Sequence, residues 1–178
     1  LACKYCNTRK SNKTTSENKN DYLWPDENNT ELAYTYAGGI PRVNSPILLE
    51  LDPSGNIAQK AEKLFELVEL GNIPAPKDKD RRFKQRIETY ASARISLKKW
   101  KKLKETEYKE DSKELIAEIV RSKGFFSVWL EVFKDEPEIK NMLFDIFPGT
   151  ETRFFDADGN VRPILRIEEL EAATEAAT

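Results

Sequence analysis

The sequence contains no histidine and only two cysteines among its 178 residues. Without histidine, the chain can form neither a Ser-His-Asp hydrolase site nor a zinc site with histidine ligands. It also has no Gly-rich phosphate loop, and no apolar run approaches the roughly 20 residues that span a bilayer. The first residue is Leu1, with neither a start methionine nor a secretory signal. We therefore expect a truncated N-terminus and a cytoplasmic protein.

Charge is abundant and unevenly distributed. Charged residues make up 34% of the chain and hydrophobic residues 39%, which predicts a soluble, helix-rich protein. Positions 77–104 contain twelve bases and three acids, whereas positions 105–178 contain nine bases and eighteen acids. This asymmetry predicts an element that binds a polyanion beside an acidic one. A solvated helix face that pairs with the acidic half would produce the same pattern.

Hydrophobic periodicity and turn signals predict a mainly α fold with short β-hairpins. One hairpin is expected to turn at Gly38-Gly39, and a closing hairpin at Asp158-Gly159. The predicted helices run from about 56 to a stop at Gly71, over about 78–105, over about 111–123, and as two short helices split near Pro137. The predicted inward faces are Phe83, Ile87, Tyr90, Ala91 and Leu97 in the long helix, and Leu115, Ile116, Ile119 and Val120 in the next.

Composition divides the chain into four segments. Residues 1–30 form an N-terminal knuckle region, 31–55 a hairpin and loop extension, 56–166 a helical domain, and 167–178 a tail rich in Ala and Glu. The tail is expected to be either a weak terminal helix or frayed.

Cys3 and Cys6 form a Cys-x-x-Cys pair, a spacing that serves either redox or metal chemistry. The thioredoxin-like redox interpretation needs a βαβ context, and none surrounds this pair. A structural zinc site needs four ligands, because such sites are closed and tetrahedral. Two thiolates are present, and the chain has no further cysteine or histidine to complete the set. Carboxylates could substitute, although they are uncommon in structural sites.

The continuation CKYCNTRKSNK, in the form C-x-x-C-N-x-x-K, resembles the second knuckle and metal helix of the HNH endonuclease family. The following LWPDENNTELAYTYAGGI looks like the C-terminal extension of bacterial HNH proteins associated with restriction and phage defence. The resemblance implies a remnant of a ββα-metal zinc knuckle followed by a helical domain. It also implies that the first knuckle, a general-base histidine and a middle asparagine lie upstream of Leu1.

On this resemblance, Cys3 and Cys6 bind structural Zn²⁺, and Asn7 helps to hold a catalytic Mg²⁺ or Mn²⁺ in an H-N-N variant of the site. An N-cap is the alternative role for Asn7. Contacts to the DNA backbone are implied for Arg9, Lys10 and Lys13. The basic helix is predicted to add phosphate contacts at Arg81, Arg82, Lys98 and Lys101.

The implied function is metal-dependent hydrolysis of DNA phosphodiester bonds, with a partner ATPase or another defence protein as a possible partner. The 178-residue chain is expected to be inactive alone, since it lacks the general-base histidine. The alternative is a non-catalytic module that binds nucleic acid or protein and carries a degenerate zinc knuckle.

Other motifs have simpler explanations. Asp156–Asn160 echoes a calcium loop, but Ile167 stands where an EF-hand needs its distal Glu, so a turn is favoured. The pair Asp135 and Glu136 precedes Pro137 and predicts a turn. The three tryptophans, Trp24, Trp100 and Trp129, are expected in the core or on a platform rather than in base stacking.

Overall fold

The computed structural model describes residues 4–10, 13–15, 17–25, 27–75, 77 and 79–169, with the backbone alone at positions 4, 5 and 7. Two compact units are distinguished. Unit one comprises 1–35, 41–83 and 161–178, and unit two comprises 36–40 and 84–160. The four segments predicted above were drawn along the sequence, whereas the two units are defined by compactness in space, so the segments stay a prediction. Most of the predicted tail lies outside the described residues.

Helices dominate both units, and the predicted fold class, mainly α with a short hairpin, is confirmed. The helices are α1 Lys4–Lys10, α2 Thr30–Ala33, α3 Ser45–Leu51, α4 Asn56–Leu67, α5 Arg82–Leu103, α6 Lys109–Lys123, α7 Phe126–Val132 and α8 Pro137–Ile146. Strands β1 Tyr34–Ala37 and β2 Ile40–Val43 form a two-stranded sheet. No helix in the described ranges combines the length and apolarity needed to cross a membrane.

The hairpin turn lies at Gly38-Gly39, as predicted. Both glycines have positive φ, +64° and +81°, which a type I′ turn requires and which glycine adopts without steric cost. A Cβ on Gly39 would lie 2.8 Å from the carbonyl oxygen of Arg86, so this position also needs glycine for close approach to α5. Local turn chemistry and tertiary packing therefore select the same residue.

The predicted closing hairpin does not form as a pair of strands. Gly159 does lie in a turn, in which its N–H donates to the Asp156 carbonyl at 2.9 Å, but the flanking residues make only isolated bridges. Arg166 instead pairs with Asn28 in an antiparallel bridge. The buried Asn29 also donates its side-chain amide to the Ile164 carbonyl at 3.1 Å. The backbone that would have extended the hairpin therefore finds its partners in unit one.

Helix α4 ends at Leu67, earlier than the predicted stop at Gly71. Glu69 adopts a left-handed φ of 50°, and the Leu70 N–H donates to the Phe65 carbonyl at 2.9 Å. This is the arrangement that ends many helices, here with a glutamate in the position that glycine usually takes. The core-facing side of α4 carries Ala58, Ala61, Leu64 and Leu67.

The predicted inward face of α5 is wrong. Ile87 and Ala91 are exposed, and the helix begins at Arg82 rather than near 78. The buried positions recur every three or four residues but are mostly small or polar: Arg82, Arg86, Thr89, Ala93, Ser96 and Trp100. Small side chains let a neighbouring element approach closely, so this face is buried without the apolar residues that periodicity analysis detects.

Unit two buries its aromatic and aliphatic side chains among α5, α6, α7 and α8. Trp100, Trp129 and Phe133 are at most 1% exposed, and Trp24 in unit one is 8% exposed, which confirms the tryptophans as core residues. The break between two short helices near Pro137 is confirmed. On α6, Ile116 and Val120 are buried as predicted, whereas Leu115 is 47% exposed.

Candidate functional site

The second cysteine and the asparagine of the Cys-x-x-Cys-Asn motif fall on helix α1, which runs from Lys4 to Lys10. Cys6, Asn7 and Lys10 lie within this helix, and Cys6 and Lys10 share one of its faces because they are four residues apart. Cys3 and the side chain of Asn7 lie outside the described atoms, so their metal-binding roles stay predictions. Lys13 follows the helix and is exposed.

The Cys6 thiol contacts Arg82, which stands 76 residues later in the chain. Arg82 Nη1 donates to Cys6 Sγ at 3.0 Å, and Nη2 donates to the Val68 carbonyl at 3.0 Å. The other side of the guanidinium binds Asp80, with Nε donating to Oδ1 at 3.0 Å and Nη2 donating to Oδ2 at 2.7 Å. Cys6, Arg82 and Asp80 together form a cluster that we call the Arg82 cluster.

The ion pair of the Arg82 cluster is buried, since Arg82 is 5% exposed and Asp80 is 7% exposed, whereas Cys6 is half-buried. Hydrogen bonds from Arg82 are the main reason that the pKa of Asp80 lies below its usual value. Burial acts to lower the pKa of Arg82, but Asp80 and Cys6 outweigh it and raise that pKa. Both partners of the ion pair are therefore held in their charged forms.

This geometry corrects the predicted phosphate contacts of the basic helix. Arg82 was predicted to face DNA, but its guanidinium is buried and holds Asp80, Cys6 and the Val68 carbonyl. Arg81, Lys98 and Lys101 are exposed and remain candidates. A count of charges along a helix does not separate a buried bidentate arginine from an exposed one, because that depends on the nearby carboxylate.

The two cations at the end of α1, Arg9 and Lys10, make contacts within unit one. Arg9 Nη1 lies 3.2 Å from Glu69 Oε2, and both side chains are about one-third exposed. The Lys10 ammonium lies 4.6 Å from the ring centroid of Trp24, a cation–π geometry. A phosphate that bound Arg9 or Lys10 would compete with these contacts. Lys13 is exposed and Lys10 is half-buried, so Lys13 is the more accessible of the two lysines predicted to contact the DNA backbone.

The surroundings of Cys6 suit a thiolate ligand. An adjacent guanidinium favours the thiolate form, and metal-bound thiolates accept N–H donors of this kind in their outer shell. Among the described residues, no group of three or more Cys, Asp or Glu is placed to hold a metal ion. The described atoms thus provide one candidate zinc ligand, and Cys3 would be the second.

Sequence reasoning missed a buried carboxylate in unit two. Glu136, assigned only to a turn, is 6% exposed and accepts hydrogen bonds from Trp100 Nε1 at 2.8 Å and from Lys104 Nζ at 2.9 Å. Burial acts to raise its pKa, but the bonds from Lys104 and Trp100 outweigh it and hold the pKa below the usual value. The only local signal is its position before Pro137, at the start of an amphipathic helix.

The calcium-like loop is a turn, as favoured from the sequence. Asp156 Oδ1 accepts the backbone N–H groups of Asp158 and Asn160 at 2.9 and 2.8 Å. Beside it, the ammonium of Lys140 donates to Asn160 Oδ1 at 2.6 Å. Lys140 is 2% exposed, and burial lowers its pKa. The loop thus packs around a lysine that occupies a core-facing position of α8, a polar role that hydrophobic patterning does not predict.

Comparison with protein-family models, with curated proteins and with solved structures gives no match for this chain.

Proposed function

We propose that this chain is part of a metal-dependent HNH endonuclease that hydrolyses DNA phosphodiester bonds. The observation that carries the proposal is the motif C-x-x-C-N-x-x-K, whose second cysteine, asparagine and lysine lie together on α1. The contact between Cys6 and Arg82 supports a thiolate at the second cysteine. A role in restriction or phage defence, with an ATPase or another defence protein as partner, follows only from the resemblance of the following segment.

Four residues of the N-terminal segment each have a distinct task in this proposal. Cys3 and Cys6 provide two thiolates to a structural Zn²⁺, which needs four ligands. The side-chain oxygen of Asn7 is a suitable ligand for Mg²⁺ or Mn²⁺, since hard cations prefer oxygen. When bound, that cation supplies stabilisation of the negative charge that develops on the phosphate. Lys13 would contact the DNA backbone.

These residues alone do not provide a general base for the hydrolysis. Hydrolysis needs a base that accepts a proton from the attacking water near neutral pH, and histidine is the side chain best suited to this. The chain has no histidine. In the proposed nuclease, the base is therefore supplied from outside these 178 residues.

We expect the 178-residue chain to leave supercoiled plasmid intact, and the protein as its gene encodes it to nick the plasmid with Mg²⁺ or Mn²⁺. In that protein, Asn7→Ala should reduce the rate by at least about 10- to 100-fold, the loss seen when a metal-supporting group is removed. Exposed Asn72 provides a matched control, and Asn72→Ala should leave the rate unchanged. EDTA should abolish cleavage.

Cleavage by the 178-residue chain itself would contradict the assignment of the base to another segment. An active Asn7→Ala protein with unchanged zinc content would remove Asn7 from the metal site; the alternative N-cap role is already excluded, because Asn7 lies inside α1 rather than before its first turn. No cleavage by the gene-encoded protein, together with retained DNA binding, would favour the alternative, a non-catalytic nucleic-acid-binding module. The observation that supports this alternative is the absence of histidine from the chain.

A second prediction concerns DNA affinity. Replacing Arg81, Lys98 and Lys101 with alanine should reduce the salt slope of DNA binding by about three, since each phosphate contact contributes about 0.9 to that slope. The control triple variant replaces Arg121, Lys123 and Lys134, which are equally exposed and have the same side-chain types. Its slope should match the wild type. Equal slopes for all three proteins, measured by fluorescence anisotropy, would remove these residues from the interface.

A further inference from the structure

Within unit two, helices α5 and α6 border an exposed apolar groove of about 510 Å³. Its exposed large apolar side chains are Ile95 at 60%, Tyr108 at 54% and Leu115 at 47%. Large apolar side chains left in water over a contiguous surface mark contact sites more often than isolated ones do. Nothing in the proposed nuclease chemistry uses this groove.

The two edges of the groove have opposite charge. On α5, Lys99 lines the groove and Lys102 lies one turn further along the same side. On α6, Asp111 lines the groove and is followed at helical spacing by Glu114 and Glu118. All five side chains are exposed. The groove is therefore an apolar floor between a basic edge and an acidic edge.

We propose that this groove binds a second copy of the same chain. A two-fold axis running along the groove, in the plane of contact, places α5 of each copy over α6 of the other. The basic edge of one copy then meets the acidic edge of its partner on both sides, and the two apolar floors meet between them. A surface that carries both halves of a complementary pair is what an isologous interface requires.

The helix directions agree with this arrangement. Because α5 and α6 are joined by the short segment 104–108, they run in opposite directions on either side of the groove. The axis along the groove leaves each helix direction unchanged, so every α5 lies against an antiparallel α6 of the other copy. The result is an antiparallel four-helix arrangement, a common way of burying such faces.

The footprint is small. The groove-lining part of each helix covers about twelve residues, a length of about 18 Å. Two helices of this length present less than the roughly 800 Å² per partner of a standard interface. We therefore expect a weak dimer that forms between about 1 µM and about 1 mM protein. Of the proposed phosphate contacts, Lys101 falls on the opposite side of α5 from Lys99, whereas Lys98 lies four residues from Lys102 and borders the basic edge.

A charge-swap pair tests the proposal by sedimentation equilibrium of the whole chain. The acidic variant carries Lys99→Glu and Lys102→Glu, and the basic variant carries Asp111→Lys and Glu114→Lys. Each variant alone should be monomeric over this concentration range, because like charges would meet at both edges. An equimolar mixture should form heterodimers, since acidic α5 then faces basic α6, and acidic α6 faces basic α5. Circular dichroism spectra matching the wild type would show that both variants are folded.

A second pair of variants, one in the groove and one outside it, tests the contribution of the apolar floor. Leu115→Gln should weaken the wild-type dimer at least about 10-fold, whereas Ile73→Gln, at a 71% exposed position in unit one, should leave it unchanged. A monomeric wild type at about 1 mM, or a mixture of the charge variants that stays monomeric, would overturn the proposal. Dimerisation that appears only after removal of residues 170–178 would also overturn it, because the groove would then be covered by the chain's own tail.

Discussion

Replacing Asp80 with asparagine is expected to lower the free energy of unfolding by about 3–5 kcal/mol, the cost of leaving one member of a buried ion pair uncompensated. Asp80 is 7% exposed and provides both carboxylate oxygens to the buried Arg82. Urea denaturation measures the change. Asp21→Asn is the matched control, because its ion pair with Lys63 is more than half exposed and should contribute less than about 1 kcal/mol.

The double variant Asp80→Leu with Arg82→Met separates the ion pair from simple packing. Removing both charges should recover part of the loss, since a buried pair can be replaced by apolar residues at lower cost than breaking it. A double variant no more stable than Asp80→Asn would contradict the explanation by unpaired charge. The pKa of Asp80 is lowered in the folded protein, so its contribution is present above the usual aspartate pKa of 3.8. That contribution disappears as the pH falls through the lower folded pKa, where wild type and Asp80→Asn should converge.

Removing the buried carboxylate of unit two should have the next largest effect. Glu136→Leu leaves the indole N–H of Trp100, which is 1% exposed, without its acceptor, at an expected cost of about 1–3 kcal/mol. Lys104 adds little to this figure, because its side chain is 34% exposed and can turn to water. Thermal or urea unfolding followed by tryptophan fluorescence would measure the loss.

Glu136→Gln distinguishes the hydrogen bond from the charge. The amide oxygen can still accept from Trp100, so this variant should lose less stability than Glu136→Leu. Exposed Glu131→Gln provides the control and should be neutral. Because the folded pKa of Glu136 is lowered, its stabilisation is present above the usual glutamate pKa of 4.5 and is lost as the pH falls through the folded value. Equal losses for the Leu and Gln variants at neutral pH would show that the ion pair with Lys104 dominates.

Elements with strong local signals were predictable. The Gly38-Gly39 turn follows from the positive φ angles that glycine accepts, and the break before Pro137 follows from the restrictions that proline places on the preceding residue. The inward positions of Ile116 and Val120 follow from ordinary helical periodicity. Each of these signals lies within a few residues of the feature that it determines.

Periodicity failed on α5 because its buried face is built from Thr89, Ala93 and Ser96 rather than from large apolar residues. A small residue on a helix is compatible with either water or close packing, and only the neighbouring element decides between them. Leu115 satisfied the periodicity of a core residue on α6 and is nevertheless 47% exposed on the groove, because the neighbouring elements, and not the periodicity, decide which side of a helix is covered.

The sequence by itself determined which residues can carry chemistry: one Cys-x-x-Cys pair followed by asparagine, no histidine, and a strongly basic stretch from 77 to 104. Only the tertiary structure decided how they are used. It placed Arg82 beside Asp80 and beside Cys6, which is 76 residues away in the sequence. It also placed Trp100 beside Glu136, which is 36 residues away. The physical reason is that buried charged and polar groups are stable only where partners satisfy them. Asp80 lies two residues from Arg82 and is available locally, whereas Cys6 for Arg82 and Glu136 for Trp100 are brought within reach only by the fold.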